Sequence, residues 1–195
     1  MIGSCANAGN QKWLMAGSYG ELYNPASGMC LDEPSAAAVS GTAVQIEPCD
    51  ASGDDATREQ AWKLGPSPFT SGVPGMCMTY GHTNPGAPVY IAACNGSSGQ
   101  KFGLGLDTLD GFNAIEGPGG KCISVTNDGT LDGSVLVLGP CAADLSEYWM
   151  VGADGTLLNA LSEKCLADPS NSTASGKQLV LEDCYGAAGE IWATS

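Results

Sequence analysis

Eight of the nine cysteines fall into four pairs of nearly constant spacing, and no other feature limits the fold of this 195-residue chain so strongly. The members of a pair lie 19, 17, 19 and 19 positions apart, and an aromatic residue follows the second cysteine after 13, 8, 8 and 8 positions. Four complete units result: "GMCLDEPSAAAVSGTAVQIEPCDASGDDATREQAW", "GMCMTYGHTNPGAPVYIAACNGSSGQKF", "GKCISVTNDGTLDGSVLVLGPCAADLSEYW" and "EKCLADPSNSTASGKQLVLEDCYGAAGEIW". "CANAGNQKW", Cys5 to Trp13, has the frame of "CAADLSEYW" and "CYGAAGEIW", so it reads as the tail of a fifth unit.

The spacing predicts bonds from Cys30 to Cys49, Cys77 to Cys94, Cys122 to Cys141 and Cys165 to Cys184. Each closes a short loop, worth about 3 kcal/mol in the chain-entropy model. Cys5 occupies a second-cysteine position, so it is expected to pair with an upstream residue rather than to act as a catalytic thiol.

A period-two pattern precedes each second cysteine: "AVQIEPC", "PVYIAAC", "SVLVLGPC" and "KQLVLEDC". The aliphatic positions five and three before it are predicted to face the core: Val44 and Ile46, Val89 and Ile91, Leu136 and Leu138, Leu179 and Leu181. The alternate positions then face outward: Gln45 and Glu47, Tyr90 and Ala92, Val137 and Gly139, Val180 and Glu182. Trp13, Trp62, Phe102, Trp149 and Trp192 are expected in the core, where burying each is worth a few kcal/mol. Short apolar runs such as "GELYN" and "GTLLN", punctuated by Gly and Pro, read as further strands, and the chain is predicted to be all-β.

Seven Lys plus Arg against 21 Asp plus Glu leave a net charge of -14, which repels phosphate backbones and anionic lipid heads. Nucleic acid is excluded as a partner on that ground. No stretch approaches the roughly 20 apolar residues of a spanning helix, so no membrane insertion is expected. Nine cysteines with 28 glycines point to an oxidising, extracellular setting. Because the chain opens mid-repeat, any secretion signal is expected upstream of Met1. Asn95-Gly96-Ser97 and Asn171-Ser172-Thr173 are N-glycosylation sequons if the source is eukaryotic, which makes a glycoprotein the expectation there.

A first cysteine followed by Leu-Asp, an alternating strand, a second cysteine and a closing Gln-x-Trp together resemble the ricin B-type lectins and related carbohydrate-binding modules. Gln11-Lys12-Trp13 and Gln60-Ala61-Trp62 match the Gln-x-Trp signature, Gln100-Lys101-Phe102 is close, and Glu147-Tyr148-Trp149 and Glu190-Ile191-Trp192 put Glu for Gln. The resemblance covers nearly the whole chain and implies a β-trefoil, three such units about a pseudo-threefold axis. Four and a half units are not a whole number of trefoils. "LGPSPFTSGVPG", Leu64 to Gly75, reads as a linker, which places a complete trefoil at 63–195 and the C-terminal part of a preceding one at 1–62. A trefoil at 14–149 with an orphan unit after it is the rival register.

The resemblance also implies a site. The family's carboxylate stands two after the first cysteine, where this chain has Asp32, Thr79, Ser124 and Ala167. Only the first complete unit keeps it, together with Gln45 at a position that often contacts the sugar. Glu47 stands where the family usually has an aromatic platform, and Glu59 where an Asn often precedes Gln-x-Trp, an Asn that survives as Asn10. Tyr23, on the preceding strand, is a substitute platform. Asp32, Gln45, Glu47, Glu59 and Tyr23 are therefore the candidate carbohydrate-binding residues. Tyr90, Asn95, Asn127, Asp128, Asp168, Gln178 and Tyr185 lie near the equivalent loops of the other units and read as turn or surface residues.

The implied ligand is a galactose-type sugar or a polysaccharide, held by amide and carboxylate hydrogen bonds, with no cofactor or metal. No catalytic residue is predicted. The one histidine, His82, sits in a turn with no recurring partner, and nothing marks a carboxylate pair for glycoside hydrolysis. "DASGDD", Asp50 to Asp55, has the oxygen-rich look of a calcium loop without its full spacing. An upstream trefoil or an attached glycoside hydrolase is a candidate partner. The competing class is a degenerate trefoil that acts as an extracellular scaffold and binds protein instead of sugar.

Overall fold

The computed structural model describes all residues except 1–3, 5, 7, 17–20, 35–41, 50–58, 61, 63, 110–111, 153 and 195. The described residues form strands and short 3-10 turns and contain no α-helix. Two compact units are present, Met1–Lys63 with Leu106–Gly111, and Leu64–Gly105 with Phe112–Ser195. Cys5 and the Asp50–Asp55 loop lie outside the described residues.

The first unit contains an antiparallel ladder of β1 (Leu14–Ala16), β2 (Glu21–Asn24), β3 (Met29–Asp32) and β4 (Gln45–Glu47), paired in that order. The second begins with β5 (Leu64–Ser71), β6 (Met76–Tyr80), β7 (Ala87–Ala93) and β8 (Lys101–Leu109). The four-strand module recurs as β9 (Phe112–Gly117), β10 (Lys121–Val125), β11 (Leu136–Pro140) and β12 (Tyr148–Val151). It recurs again as β13 (Leu157–Asn159), β14 (Cys165–Ala167), β15 (Lys177–Gln178) with β16 (Val180–Glu182), and β17 (Trp192–Thr194).

The outer strands of each module run β5, β8, β9, β12, β13 around a ring, and β17 returns to pair with β5. A bridge between Thr156 and Ile191 closes the remaining gap. The inner strands form the hairpins β6–β7, β10–β11 and β14–β16, and the disulfides predicted from the spacing staple all of them and the β3–β4 hairpin. Three hairpins over a six-stranded ring is the β-trefoil arrangement.

Three hydrogen bonds of one kind tie the hairpins together. Gly86 N–H donates to Leu138 O, Gly133 N–H to Leu181 O and Gly176 N–H to Ile91 O, each at 2.8 Å. All three glycines stand eight before a second cysteine at φ +82, +83 and +93, a region that strains any residue with a Cβ. Each hairpin thus donates to the next, and the last returns to the first. The aliphatic pairs Val89 and Ile91, Leu136 and Leu138, and Leu179 and Leu181 lie inside this triangle, fully buried as the alternation predicts. Of the residues predicted to face outward, Gly139 is buried beneath Ser124 and Glu147 of its own repeat, and Val180 is buried where it bridges Val135 of the neighbouring hairpin.

The first unit departs from the expectation. Val44 and Ile46 are 51% and 46% exposed, and Trp13 is exposed too. Ile46 lies on β4, with Val44 just before it, and among the described residues β4 pairs only with β3, whereas the equivalent strands of the second unit are covered by two other hairpins. Alternation predicts which face is apolar. Burial requires something to lie on it.

The expected linker is also different: Leu64–Ser71 is strand β5, which pairs with β6, β8 and β17. Pro66 is accommodated because the β5–β8 register shifts between Leu64 and Ser67, so no ladder N–H is required there. "GELYN" and "GTLLN" are tied down by their last residue. Asn24 Nδ2 donates to the carbonyls of Gly9 and Lys12, and Asn159 Nδ2 to those of Ser146 and Tyr148, which fastens each repeat to the closing turn of the one before.

Burial sets the cost of truncation. Ile91→Ala should lower stability by about 2–5 kcal/mol, as expected for a filled core, whereas Ile46→Ala should stay within about 0.5 kcal/mol. Thermal melts of the two variants beside the parent check this, and equal losses would contradict the difference in packing.

Candidate functional site

The closing signature builds the site. Gln11, Gln100, Glu147 and Glu190 each end a 3-10 turn, and each sends its side chain back to the loop after the second cysteine. Gln100 Oε1 accepts from Asn95 N–H at 2.8 Å, Glu147 Oε2 from Ala142 N–H at 2.8 Å, and Glu190 Oε2 from the N–H groups of Tyr185, Gly186 and Ala187 at 2.9, 2.7 and 3.1 Å. In three repeats the closing tryptophan is anchored by its indole. Trp62, Trp149 and Trp192 donate their indole N–H to the carbonyl after the first cysteine, Leu31, Ile123 and Leu166, at 2.9, 3.1 and 2.9 Å.

A glutamine at this turn also has an N–H2 group to spend. Gln60 Nε2 donates to Pro48 O at 3.1 Å and to Asp32 Oδ2 at 3.3 Å, and Gln100 Nε2 donates to Ala93 O at 2.9 Å and to Thr79 Oγ1 at 3.1 Å. Asp32 and Thr79 both stand two after the first cysteine. A glutamate cannot donate, and beside a second carboxylate it would be repelled. The two repeats with glutamate have Ser124 and Ala167 at that position, so no repeat without the amide has the aspartate, while the Gln100 repeat keeps the amide and has Thr79 there.

Asp32 pairs with Gln45 across β3 and β4, and Gln45 Nε2 donates to Asp32 Oδ1 at 2.9 Å. Its two oxygens are thus each fixed by one amide, and each retains an acceptor direction. Asp32 itself is only 4% exposed, while Gln45 stands in solvent. The sequence pairing of Asp32 with Gln45 is realised as a contact. Gln60, read only as part of the signature, is the member that sequence reasoning missed. The signature marks a closing turn and does not say which side chain its amide reaches.

The other candidates stand around this carboxylate. Glu47 is exposed on β4, opposite Cys30, two residues along from Gln45. Tyr23, half-buried on β2, is also opposite Cys30 and hence on the same face of the ladder, one row from Asp32. Glu59 is half-buried, and its carbonyl accepts Glu33 N–H at 2.8 Å. Asn10 is exposed within the first turn.

In the second unit, Asn95 caps its own loop by accepting Ser97 N–H, Gln178 donates to Leu136 O, and Tyr90 pairs with Gln178 across strands. Asn127 and Asp128 are exposed in left-handed conformations, the turn role expected for them, and His82 is exposed in its turn. Asp168 does not fit the surface expectation. It is 2% exposed, and neither carboxylate oxygen has a hydrogen-bond partner.

Burial raises the Asp168 carboxyl to about 6, and the charge of Glu182 adds to that. The Ser172 amide, which approaches without completing a hydrogen bond, and Lys177 oppose the shift only in part.

The profile of the ricin-type beta-trefoil lectin domain matches residues 18–110 and 112–195. The chain belongs to the ricin-type β-trefoil lectin family. Domains of this lectin family are carbohydrate-binding modules. Among solved structures, the designed threefold-symmetric protein ThreeFoil is similar over 66% of this chain and 96% of its own, at 24% identity and TM-score 0.62. The exo-beta-1,3-galactanase 1,3Gal43A of Clostridium thermocellum is similar over 93% of this chain but 44% of its own, at 17% identity and TM-score 0.63. A non-toxic homologue of type II RIPs from Momordica charantia, solved with alpha-methyl-D-galactoside, is similar over 93% of this chain and 66% of its own, at 19% identity and TM-score 0.54. At these identities the likeness is one of fold. No curated protein matches the sequence.

The buried Asp168 makes stability depend on pH. Unfolded, the carboxyl titrates near 3.8; folded, it holds its proton up to about 6. Its contribution is therefore fully present below pH 3.8 and is lost as pH rises through about 6. Asp168→Asn should raise stability, and with it the melting temperature, above that window and not below it, by on the order of 1 kcal/mol after allowing for solvent screening. An equal gain at both ends of a pH series of melts would contradict the assignment.

Proposed function

We propose that the protein binds carbohydrate at Asp32 in the first unit, with Gln45 as the exposed contact and Glu47, Glu59 and Tyr23 as the rim. The observation that carries this reading is the Asp32 carboxylate, held at each oxygen by a side-chain amide, Gln45 and Gln60. That arrangement presents oriented acceptors to paired sugar hydroxyls and an amide that can both donate and accept. The ligand class is a galactoside or a plant or fungal polysaccharide. Support comes from the family and from the alpha-methyl-D-galactoside with which the Momordica homologue was solved.

The setting is extracellular, supported by four disulfides. Residues 63–195 make a complete trefoil and residues 1–62 the C-terminal part of another, and the module serves to bring an attached glycoside hydrolase to its substrate. The galactanase, of which a similar region spans less than half, supports that last step by analogy. The scaffold reading is favoured by one observation, the exposed Val44 and Ile46, which offer an apolar face to a protein partner.

A broad glycan and polysaccharide array on the chain, followed by titration of the best ligand, decides between the two. Binding should be saturable and weak, on the order of millimolar per site, and Asp32→Ala should weaken it at least about tenfold. An Asp32→Ala protein that binds every glycan as the parent does removes this site. A blank array, with a stable oligomer in light scattering, moves the function to the scaffold.

A further inference from the structure

The two most exposed large apolar side chains among the described residues, Tyr185 at 80% and Leu131 at 75%, flank one polar network. Lys164 Nζ bonds Asp132 Oδ1 at 2.8 Å and also bonds Asp183, and Tyr185 donates its phenol O–H to Asp183 Oδ2 at 3.2 Å. The network joins two repeats. Leu131 and Asp132 belong to the turn whose Gly133 N–H donates to Leu181 O, and Lys164, Asp183 and Tyr185 border the Cys165–Cys184 disulfide.

Both ends of the Tyr185 residue are held. Its backbone N–H donates to the buried Glu190 carboxylate and its hydroxyl to Asp183, so the ring is presented to solvent in a set orientation. An ordered aromatic face beside hydrogen-bonding carboxylates and an ammonium has the composition of a saccharide platform. Asp132, Lys164, Asp183 and Tyr185 all lie outside the positions from which the family resemblance implies sugar contacts.

Charge selects the sugar. Lys164 is the one cation in the network, against Asp132 and Asp183. Glu182, next in sequence to Asp183, has its pKa raised by burial and then by the negative charges of Glu190 and Asp132, which locates excess negative charge beside the patch. The whole chain carries -14. Such a field repels uronates and sialylated glycans and attracts a protonated amine.

We propose that this patch is a second saccharide site that takes an amino sugar in its free-amine form, as part of a polysaccharide. The pyranose C–H face lies on the Tyr185 ring, Lys164 donates to ring hydroxyls, and the ammonium of the sugar is met by the Asp183 and Asp132 carboxylates. The inference rests on the carbohydrate-binding reading above, and adds a site and a ligand class to it.

Calorimetric titration with chitosan oligosaccharide and with its fully N-acetylated counterpart, at mildly acidic pH and low salt, tests it. The parent should bind the free-amine oligomer and bind the acetylated one at least about tenfold more weakly, and added salt should reduce the difference. Tyr185→Ala should weaken free-amine binding about tenfold and Tyr185→Phe much less, while unchanged melting temperatures show that both variants fold. Failure of the free-amine oligomer to bind, equal binding of the acetylated oligomer, or full binding by Tyr185→Ala overturns the proposal. Asp32 and Gln45 are not part of the patch, so any of these results leaves the outcome of the Asp32→Ala titration standing on its own.

Discussion

The fold depends on the reciprocal capture of three hairpins. Each disulfide hairpin is local, closed within about twenty residues of chain and stapled by its own bond, but none can bury its aliphatic face alone. The bonds from Gly86, Gly133 and Gly176 to carbonyls of the next hairpin set the three at a spacing where their aliphatic residues meet. Outer strands then close a ring beneath them, with Asn159 and the indole bonds of Trp149 and Trp192 locking each closing turn to its neighbours. Disulfides hold the parts, and the glycine bonds make them one core.

The closing Gln-x-Trp turn has a second consequence for function. Its first residue must accept N–H groups from the loop after the second cysteine, which both Gln and Glu do well; Glu190 takes three. Only Gln can also donate to the residue two after the first cysteine. A ligand-binding carboxylate at that position is therefore compatible with a glutamine turn and penalised by a glutamate turn. The chain shows both states: Asp32 beside Gln60, and Ala167 in the repeat that ends on Glu190. The one repeat that keeps the aspartate is thus one that keeps the glutamine.

The two units differ in these groups. The first unit retains the aspartate but has Glu47 in place of an aromatic platform, and its apolar residues Val44 and Ile46 stand in solvent. The second unit has complete packing, has lost the aspartates, and displays an ordered tyrosine among carboxylates at the rim. Under the proposed reading each polar site in this acidic chain would bind sugar weakly, and several acting on one polymer would raise the effective concentration of each. A repeat architecture suits that mode, since substitutions at the rim leave the hairpin triangle untouched.

Much of this was legible in the residues. Cysteine spacing determined the disulfides and alternation determined which residues of each hairpin are apolar-facing, because these are local, periodic constraints of the chain, while the cysteine-to-tryptophan frame carried the family resemblance that implies the β-trefoil. The pairing of Asp32 with Gln45 followed from the same register. Tertiary structure decided the rest. Pro66 reads as part of a linker by composition, yet a register shift lets it stand in a strand. Val44 and Val89 occupy the same place in their repeats, and only the neighbouring hairpins make one exposed and the other buried. Asp168 looks like a turn residue and is closed off from solvent. Gln60 reaches Asp32 across 28 positions. In each case the sequence names the group, whereas its exposure and its partners depend on chain segments far away, which local pattern does not encode.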